Sequence, residues 1–313
     1  VNQQQILSEK IKIGISLCCI GAPVRYNQLG WDMIGHLGRE KGDYIFFPVC
    51  PECMAGLGVP RDAIRLSGGT GEDVLKGQAK VVSGKKEITK QLVDGSRVCL
   101  DVLKKNDVKV FVYKEGSPSC GVYRTTLRNQ SRGKPPGVFG AMVLEEGMFL
   151  IPADDLQSPI KWWDWRRRMF AWVWLSEQPL LTRANVIDTW HVLKFLCEEI
   201  DRPYTKTMGL KIAQIAKEDV VVFGEQLRSE VMELLRQPVP IQRISNRLWK
   251  HYVHYRKKTN QTVDEVNPPT TLRSKTKIAQ ELLLMERKSF ESGVLFGSSP
   301  VIYRDKRRIK HEE

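Results

Sequence analysis

The chain has only seven cysteines in 313 residues, at positions 18, 19, 50, 53, 99, 120 and 197. They are too few and too unevenly spread for a disulfide scaffold. No apolar run is long enough to span a membrane, so no membrane segment is expected. The opening VNQQQILSEK is polar and does not read as a secretion signal. A reducing, cytoplasmic location is therefore the expectation, and there paired thiols point to metal binding or catalysis. Internal repeats and low-complexity tracts are absent. Acidic residues are the scarcer charge, 36 against 49 basic, for a net charge of +13. Residues 1–155 hold 21 Lys/Arg and 17 Asp/Glu, and residues 156–313 hold 28 and 19. The basic excess lies mostly in the second half. A polyanion such as RNA is the natural partner to consider, beside the plainer reading of a soluble basic protein.

What is present divides the chain in two. Lys12–Leu17, Tyr44–Val49, Val108–Tyr113 and Met148–Ile151 are short runs of apolar, β-branched and aromatic residues that read as strands, with Lys80–Ser83 as a minor one. Residues 29–39, Glu87–Lys105 and Val138–Glu146 between them read as helices. The alternation predicts an α/β domain over residues 1–155 with a mainly parallel, Rossmann-like sheet. Asp154–Pro159 reads as a linker. Residues 156–313 then predict a mostly α-helical, basic domain, with helices over Asn185–Ile200, Thr207–Lys217, Val220–Arg236, Ile241–Lys257 and Ser274–Phe290. The charged end, YRDKRRIKHEE, reads as fraying.

Three cysteines carry the chemistry. Cys18, Cys50 and Cys120 each follow a predicted strand and open a loop. In an open α/β sheet, ligands sit at the carboxyl ends of the strands. If those strands are neighbours, three thiols meet at one edge. Thiolates hold iron–sulfur clusters and also suit zinc. A site with three ligands leaves one metal position open for a substrate. For any one of these thiols, packing as a small hydrophobe is the plainer alternative. Glu52 lies two residues past Cys50, and Ser117 three before Cys120. Both can face such a position, Glu52 as a proton relay and Ser117 as a hydrogen-bond partner. The plainer alternatives are a solvated loop carboxylate and a serine bonding its own turn.

The ordered segments SLCCIGAPVRY, PVCPE with AGLGVPR, GGTGEDVLKGQAKVV and EGSPSCGV resemble the thiouracil desulfidase (TudS) family over residues 10–151. The resemblance implies an oxygen-sensitive 4Fe-4S cluster held by Cys18, Cys50 and Cys120. It implies that Glu52 and Ser117 are the family's functional acid and hydroxyl. The implied reaction takes sulfur from a thiolated pyrimidine, leaving the oxo base and releasing sulfide. A soft thiocarbonyl sulfur suits an open iron acting as a Lewis acid. Two residues depart from the family pattern. Cys19 and Cys53 stand where apolar side chains are usual, and either thiol could compete as a ligand or simply pack. A CxxC pair also suits zinc, but a structural zinc site normally wants a second close pair. Arg25, Arg61 and Arg65 flank the same loops.

In the second half, WHVLKFLCEEIDRPYTKTMGLKIA resembles the helical YbgA-type domain fused behind some desulfidases. That arrangement implies thiouridine in tRNA as substrate rather than the free base. Basic and aromatic residues are interleaved at Arg166-Arg167-Arg168, at Arg247 to Tyr252, at His254 to Lys258 and at Lys306-Arg307-Arg308, which suits phosphate contacts and base stacking. Trp162, Trp163, Trp165, Trp172 and Trp174 read as core, and His191 as a buried histidine. The leading expectation is an iron–sulfur desulfidase. The alternative is a non-catalytic metal- or cluster-containing RNA-binding or sensor protein. The choice between 2-thio and 4-thio substrates, and the oligomeric state, stay open at this point.

Overall fold

The structure is a computed structural model that describes residues 3–122, 136–216 and 219–305. Lys217 and the run Lys306-Arg307-Arg308, both singled out above, lie outside the described residues. The chain forms two compact units, Lys10–Gln157 and Ser158–Glu313 together with Val1–Glu9.

The chain begins with β1 (Gln5–Leu7), which belongs to the second unit. The α/β unit then opens with β2 (Ile11–Ser16) and β3 (Tyr44–Val49), followed by the one-turn α1 (Pro51–Met54). Pro51 fits the first helical position because its missing N–H would have no partner there. Next come β4 (Ile64–Ser67), α2 (Gly71–Leu75), β5 (Lys80–Ser83) and β6 (Lys86–Glu87). These three strands form a small antiparallel sheet. Helix α2 sits inside what reads as a turn because Thr70 and Asp73 form a reciprocal capping box. The unit finishes with α3 (Thr89–Lys105), β7 (Val110–Tyr113), α4 (Val138–Glu145) and β8 (Phe149–Pro152). Residues 34–43 form 3-10 turns broken at Gly38, whose φ is +56°, instead of the expected α-helix.

The main sheet has the order β3-β2-β7-β8, all parallel. In chain order this is 2-1-3-4, so connections leave β2 toward one side and β3 returns to the other. The carboxyl ends of β2 and β7 therefore flank a topological switch point, where open α/β sheets bind ligands. Strand β7 is buried along its whole length, as a sheet covered on both faces requires. Helix α3 buries Leu92, Cys99 and Leu103 against the sheet. Its Gly95 lets α1 approach: a Cβ there would stand 2.7 Å from the Pro51 carbonyl oxygen. Cys99 is thus a core residue.

The second unit is built around α5 (Pro159–Ser176), most of whose side chains are buried. Trp162, Trp163, Trp165, Trp172 and Trp174 are all core. Around it lie α6 (Arg183–Ile200), α7 (Arg202–Ala213), α8 (Val220–Leu235), α9 (Ile241–Thr259) and α10 (Lys275–Glu291). Strand β9 (Val301–Tyr303) pairs in parallel with β1, which places the start of the chain in this unit.

Two sequence expectations fail here. Arg166, Arg167 and Arg168 are buried and do not present a phosphate-binding surface. Arg167 pairs with Asp164 at 2.8 Å and with Glu199 of α6 at 2.7 Å. Arg168 pairs with Asp164 at 2.9 Å, and Arg166 with Glu286 at 2.8 Å. The guanidinium groups of Arg167 and Arg168 also lie over the Trp163 and Trp165 rings. Charge pairing inside the unit, with an aspartate one turn earlier, makes this burial tolerable. The second failure is His191, which is exposed and lines a cavity.

Candidate active site

Three strand ends build the site. Ser16 ends β2, and a single 3-10 turn, Leu17–Cys19, carries Cys18. Cys50 follows β3 and caps α1. Cys120 lies on the turn that follows β7. That turn is clamped from outside: Gly137, Val138 and Gly140, at the start of α4, donate backbone hydrogen bonds to the carbonyls of Gly121, Pro118 and Ser119 at 2.7, 3.1 and 3.0 Å. Gly140 is needed there, since a Cβ would meet the Gly121 carbonyl oxygen at 2.0 Å. The sheet therefore delivers three thiols to the switch point through three separate connections.

All three line one cavity of about 220 Å³. Glu52, Ser117, Ser119, Arg25, Arg61 and Lys114 line it with them. Cys19 and Cys53 do not, and Cys19 is fully buried. A larger cavity, about 660 Å³, lies in the helical unit and has no cysteine in its wall.

The polar groups form a chain. Arg61 pairs with one Glu52 oxygen and is itself held by the Val24 and Gly58 carbonyls at 2.9 and 2.8 Å. The Ser119 hydroxyl donates to the other Glu52 oxygen at 2.7 Å. Ser117 Oγ lies 2.9 Å from Ser119 Oγ. Glu52 is thus an anchored carboxylate, with a side chain 15% exposed, and not a solvated loop residue. Ser117 does two things. Its Oγ accepts the backbone N–H groups of Ser119 and Cys120 at 3.3 and 3.2 Å, closing the turn, and it also lines the cavity. Ser119 is missed by the sequence reading. Its signal was its place beside Cys120, but in a turn of small residues either serine could face inward.

The thiols sense one another. Burial pushes the Cys120 thiol well above its ordinary value, and the negative charge of ionised Cys50 and Cys18 pushes it further. Hydrogen bonds from Ser16 and Ser119 act the other way. Burial pushes Cys50 up to about 12. Cys18 is lowered, first by its contact with Cys19, 4.0 Å away, against the effect of burial, and then by Arg25 and Lys114. Arg25 stacks over Trp31 at 4.4 Å, and Lys114, which pairs with Asp154, lies over the same ring at 4.7 Å. The Cys120 thiol, held up by burial and by its ionised neighbours, would ionise on a cationic inorganic group. Among the described residues, no three His, Cys, Asp or Glu side chains converge as ligands of a single metal ion. Thiolate donors of this kind suit an iron–sulfur cluster and also zinc.

Fold and site together define an α/β protein with a thiol-lined pocket at the switch point of a parallel sheet. The sequence model of the 2-thiouracil desulfurase family matches residues 13–155. The uncharacterized protein YbbK of Bacillus subtilis (strain 168) is 32% identical over 150 residues, 46% of this chain and 97% of that protein. The chain belongs, through its α/β unit, to the 2-thiouracil desulfurase family. A solved structure, described as the 4Fe-4S-dependent thiouracil desulfidase TudS, is 28% identical, covering 47% of this chain and 93% of that one with a TM-score of 0.38. No helix among the described residues is long and apolar enough to cross a membrane.

Proposed function

We propose that the protein removes sulfur from a thiolated uracil, with Cys18, Cys50 and Cys120 holding a 4Fe-4S cluster. The observation that carries this reading is that three thiols from three neighbouring strand ends share one cavity with the Arg61–Glu52–Ser119–Ser117 chain. Cys18, Cys50 and Cys120 would hold the cluster, which would supply Lewis-acid polarisation of the thiocarbonyl. The net reaction adds one water to the thiocarbonyl base and yields the oxo base and hydrogen sulfide, with no change of redox state.

The chain's own residues hold the base and move the protons. Arg61 and Ser119 fix the Glu52 carboxylate in place, and that carboxylate accepts a proton from the attacking water. Ser119 holds the rotamer of Glu52, and Ser117 orients the base from the opposite side of that hydrogen bond. Arg25 and Lys114 line the cavity with positive charge, which favours a substrate that has lost its ring proton to solvent and carries a thiolate. The substrate is a free base, a nucleoside or thiouridine within tRNA. The basic excess of the second half is what favours the RNA form.

The test is anaerobic reconstitution with iron and sulfide, then sulfide release from 2-thiouracil, 4-thiouridine and thiolated tRNA. Turnover of at least one substrate is expected. A loaded cluster with no turnover on any of them would return the protein to the class of non-catalytic cluster modules. A Cys50→Ala protein that keeps full cluster absorbance and activity would refute the ligand assignment.

A further inference from the structure

A second cavity lies within the helical unit and has its own chemistry. It measures about 660 Å³, within the range of sites that enclose a small ligand. Helix α6 supplies His191, Lys194 and Phe195 to its wall, and α9 supplies Arg247, Lys250 and His251. His254 and Lys258, one and two turns further along α9, extend the basic stripe. No Asp or Glu lines it among the described residues. Arg247 is neutralised by Glu198 at 2.9 Å. Lys194, Lys250 and Lys258 have no carboxylate within ion-pair distance among the described residues.

The local field is accordingly positive. His191 is held below the ordinary histidine value, first by burial and then by the Lys194 ammonium. His254 is held down in the same way, first by burial and then by His251, Lys258 and Lys257. Phe195 stands in this wall 36% exposed, with Lys194 Nζ 5.1 Å from its ring centroid and His251 edge-on at 6.3 Å. His251 is backed by the buried carboxylate of Glu199 at 3.8 Å, which fixes its side of the cavity. Unpaired ammonium groups, several imidazoles and one open aromatic face call for a multiply charged oxyanion carrying a flat or apolar group.

We propose that this cavity binds a phosphate ester, with Lys194, Lys250 and Lys258 on the phosphate oxygens and Phe195 against the attached base. The ester is either a free nucleotide or a phosphodiester of an RNA strand. In the second case the site deepens the reading above, because it is where an RNA substrate is gripped.

The experiment uses the full chain and two probes, uridine 5′-monophosphate by calorimetry and a labelled oligouridylate by fluorescence anisotropy. Wild type is expected to bind at least one of them. Lys250→Glu/Lys258→Glu is expected to weaken that binding at least tenfold and to lower the salt slope for the oligonucleotide by about 1.4. Lys275→Glu/Lys277→Glu, a charge-matched pair exposed on α10, is expected to stay within about threefold of wild type. Binding of the nucleotide alone identifies a free ligand, and binding of the oligonucleotide alone identifies RNA; either supports the site. Equal loss in both variant pairs, or no binding of either probe by wild type, overturns it. Sulfide release from free 2-thiouracil is measured in parallel. Its absence with binding intact overturns only the catalytic reading.

Discussion

Replacing Ser119 by alanine removes one hydroxyl from the centre of the proposed proton path. Ser119 is buried, its oxygen donates to Glu52 at 2.7 Å, and it lies 2.9 Å from Ser117 Oγ. A hydrogen bond to a charged group is worth about 1.5–3 kcal/mol. If that energy holds the carboxylate in its productive rotamer, its loss appears in the barrier as about a 10- to 100-fold fall in kcat. Ser119 is not a sulfur ligand, so the iron content of reconstituted protein is expected to match wild type. The measurement is steady-state sulfide release under anaerobic conditions beside iron analysis of the same sample. A fall in kcat with KM within about twofold and full iron content supports the relay. Wild-type turnover with full iron content would refute it, and loss of iron would show that the hydroxyl matters only to the Cys120 turn.

Cys53→Ala is expected to retain the cluster and at least half of the activity, because Cys53 does not line the cavity; iron analysis and sulfide release check both. Ser117→Ala is expected to lower cluster retention as well as kcat, since two backbone N–H groups of the Cys120 turn lose their acceptor, about 1 kcal/mol of local stability. The helical unit is expected to weaken in acid. Burial raises the Glu199 carboxyl, but Arg167, His251 and Ser298 outweigh it and hold it at about 2, against an ordinary 4.5. Its stabilisation, about 3 kcal/mol, is present above pH 4.5 and is lost as pH falls toward 2, which acid titration of the far-ultraviolet dichroism checks. Arg167→Met strands Glu199 and Asp164 without their shared partner and is expected to cost about 3–5 kcal/mol. Calorimetry is expected to show the midpoint of that unit lowered by roughly 10 °C.

The parts of the site that were legible in the sequence are those tied to strand ends. Tyr44–Val49 runs apolar into Cys50, and the run ending at Tyr113 leads through a small-residue turn to Cys120. A parallel sheet then brings such loops to one edge. Order along the chain does not give sheet neighbours, so the 2-1-3-4 arrangement that sets Cys18 beside both other thiols comes only from the structure. Side-chain pairing was less legible. Arg167 and Arg168 read as surface charge until Asp164 is seen at the three- and four-residue spacing that places it on the same helix face. The pairing of Glu52 with Arg61 needs the loop over 55–63 to fold back, which no periodicity announces. His191 sits among apolar neighbours on α6 yet faces outward, because each turn of a helix presents both sides.

The pairing of β1 with β9 makes the helical unit discontinuous in sequence, with the α/β unit inserted into it after the first strand. During synthesis Gln5–Leu7 emerges long before its partner, Val301–Tyr303. A ribosome adding 5–20 residues per second leaves that edge uncovered for roughly 15–60 s. The α/β unit, complete by residue 157, can fold in the interval. A polypeptide begun at Ser158 would lack the strand altogether and leave β9 bare, so the two halves cannot be separated by a single cut.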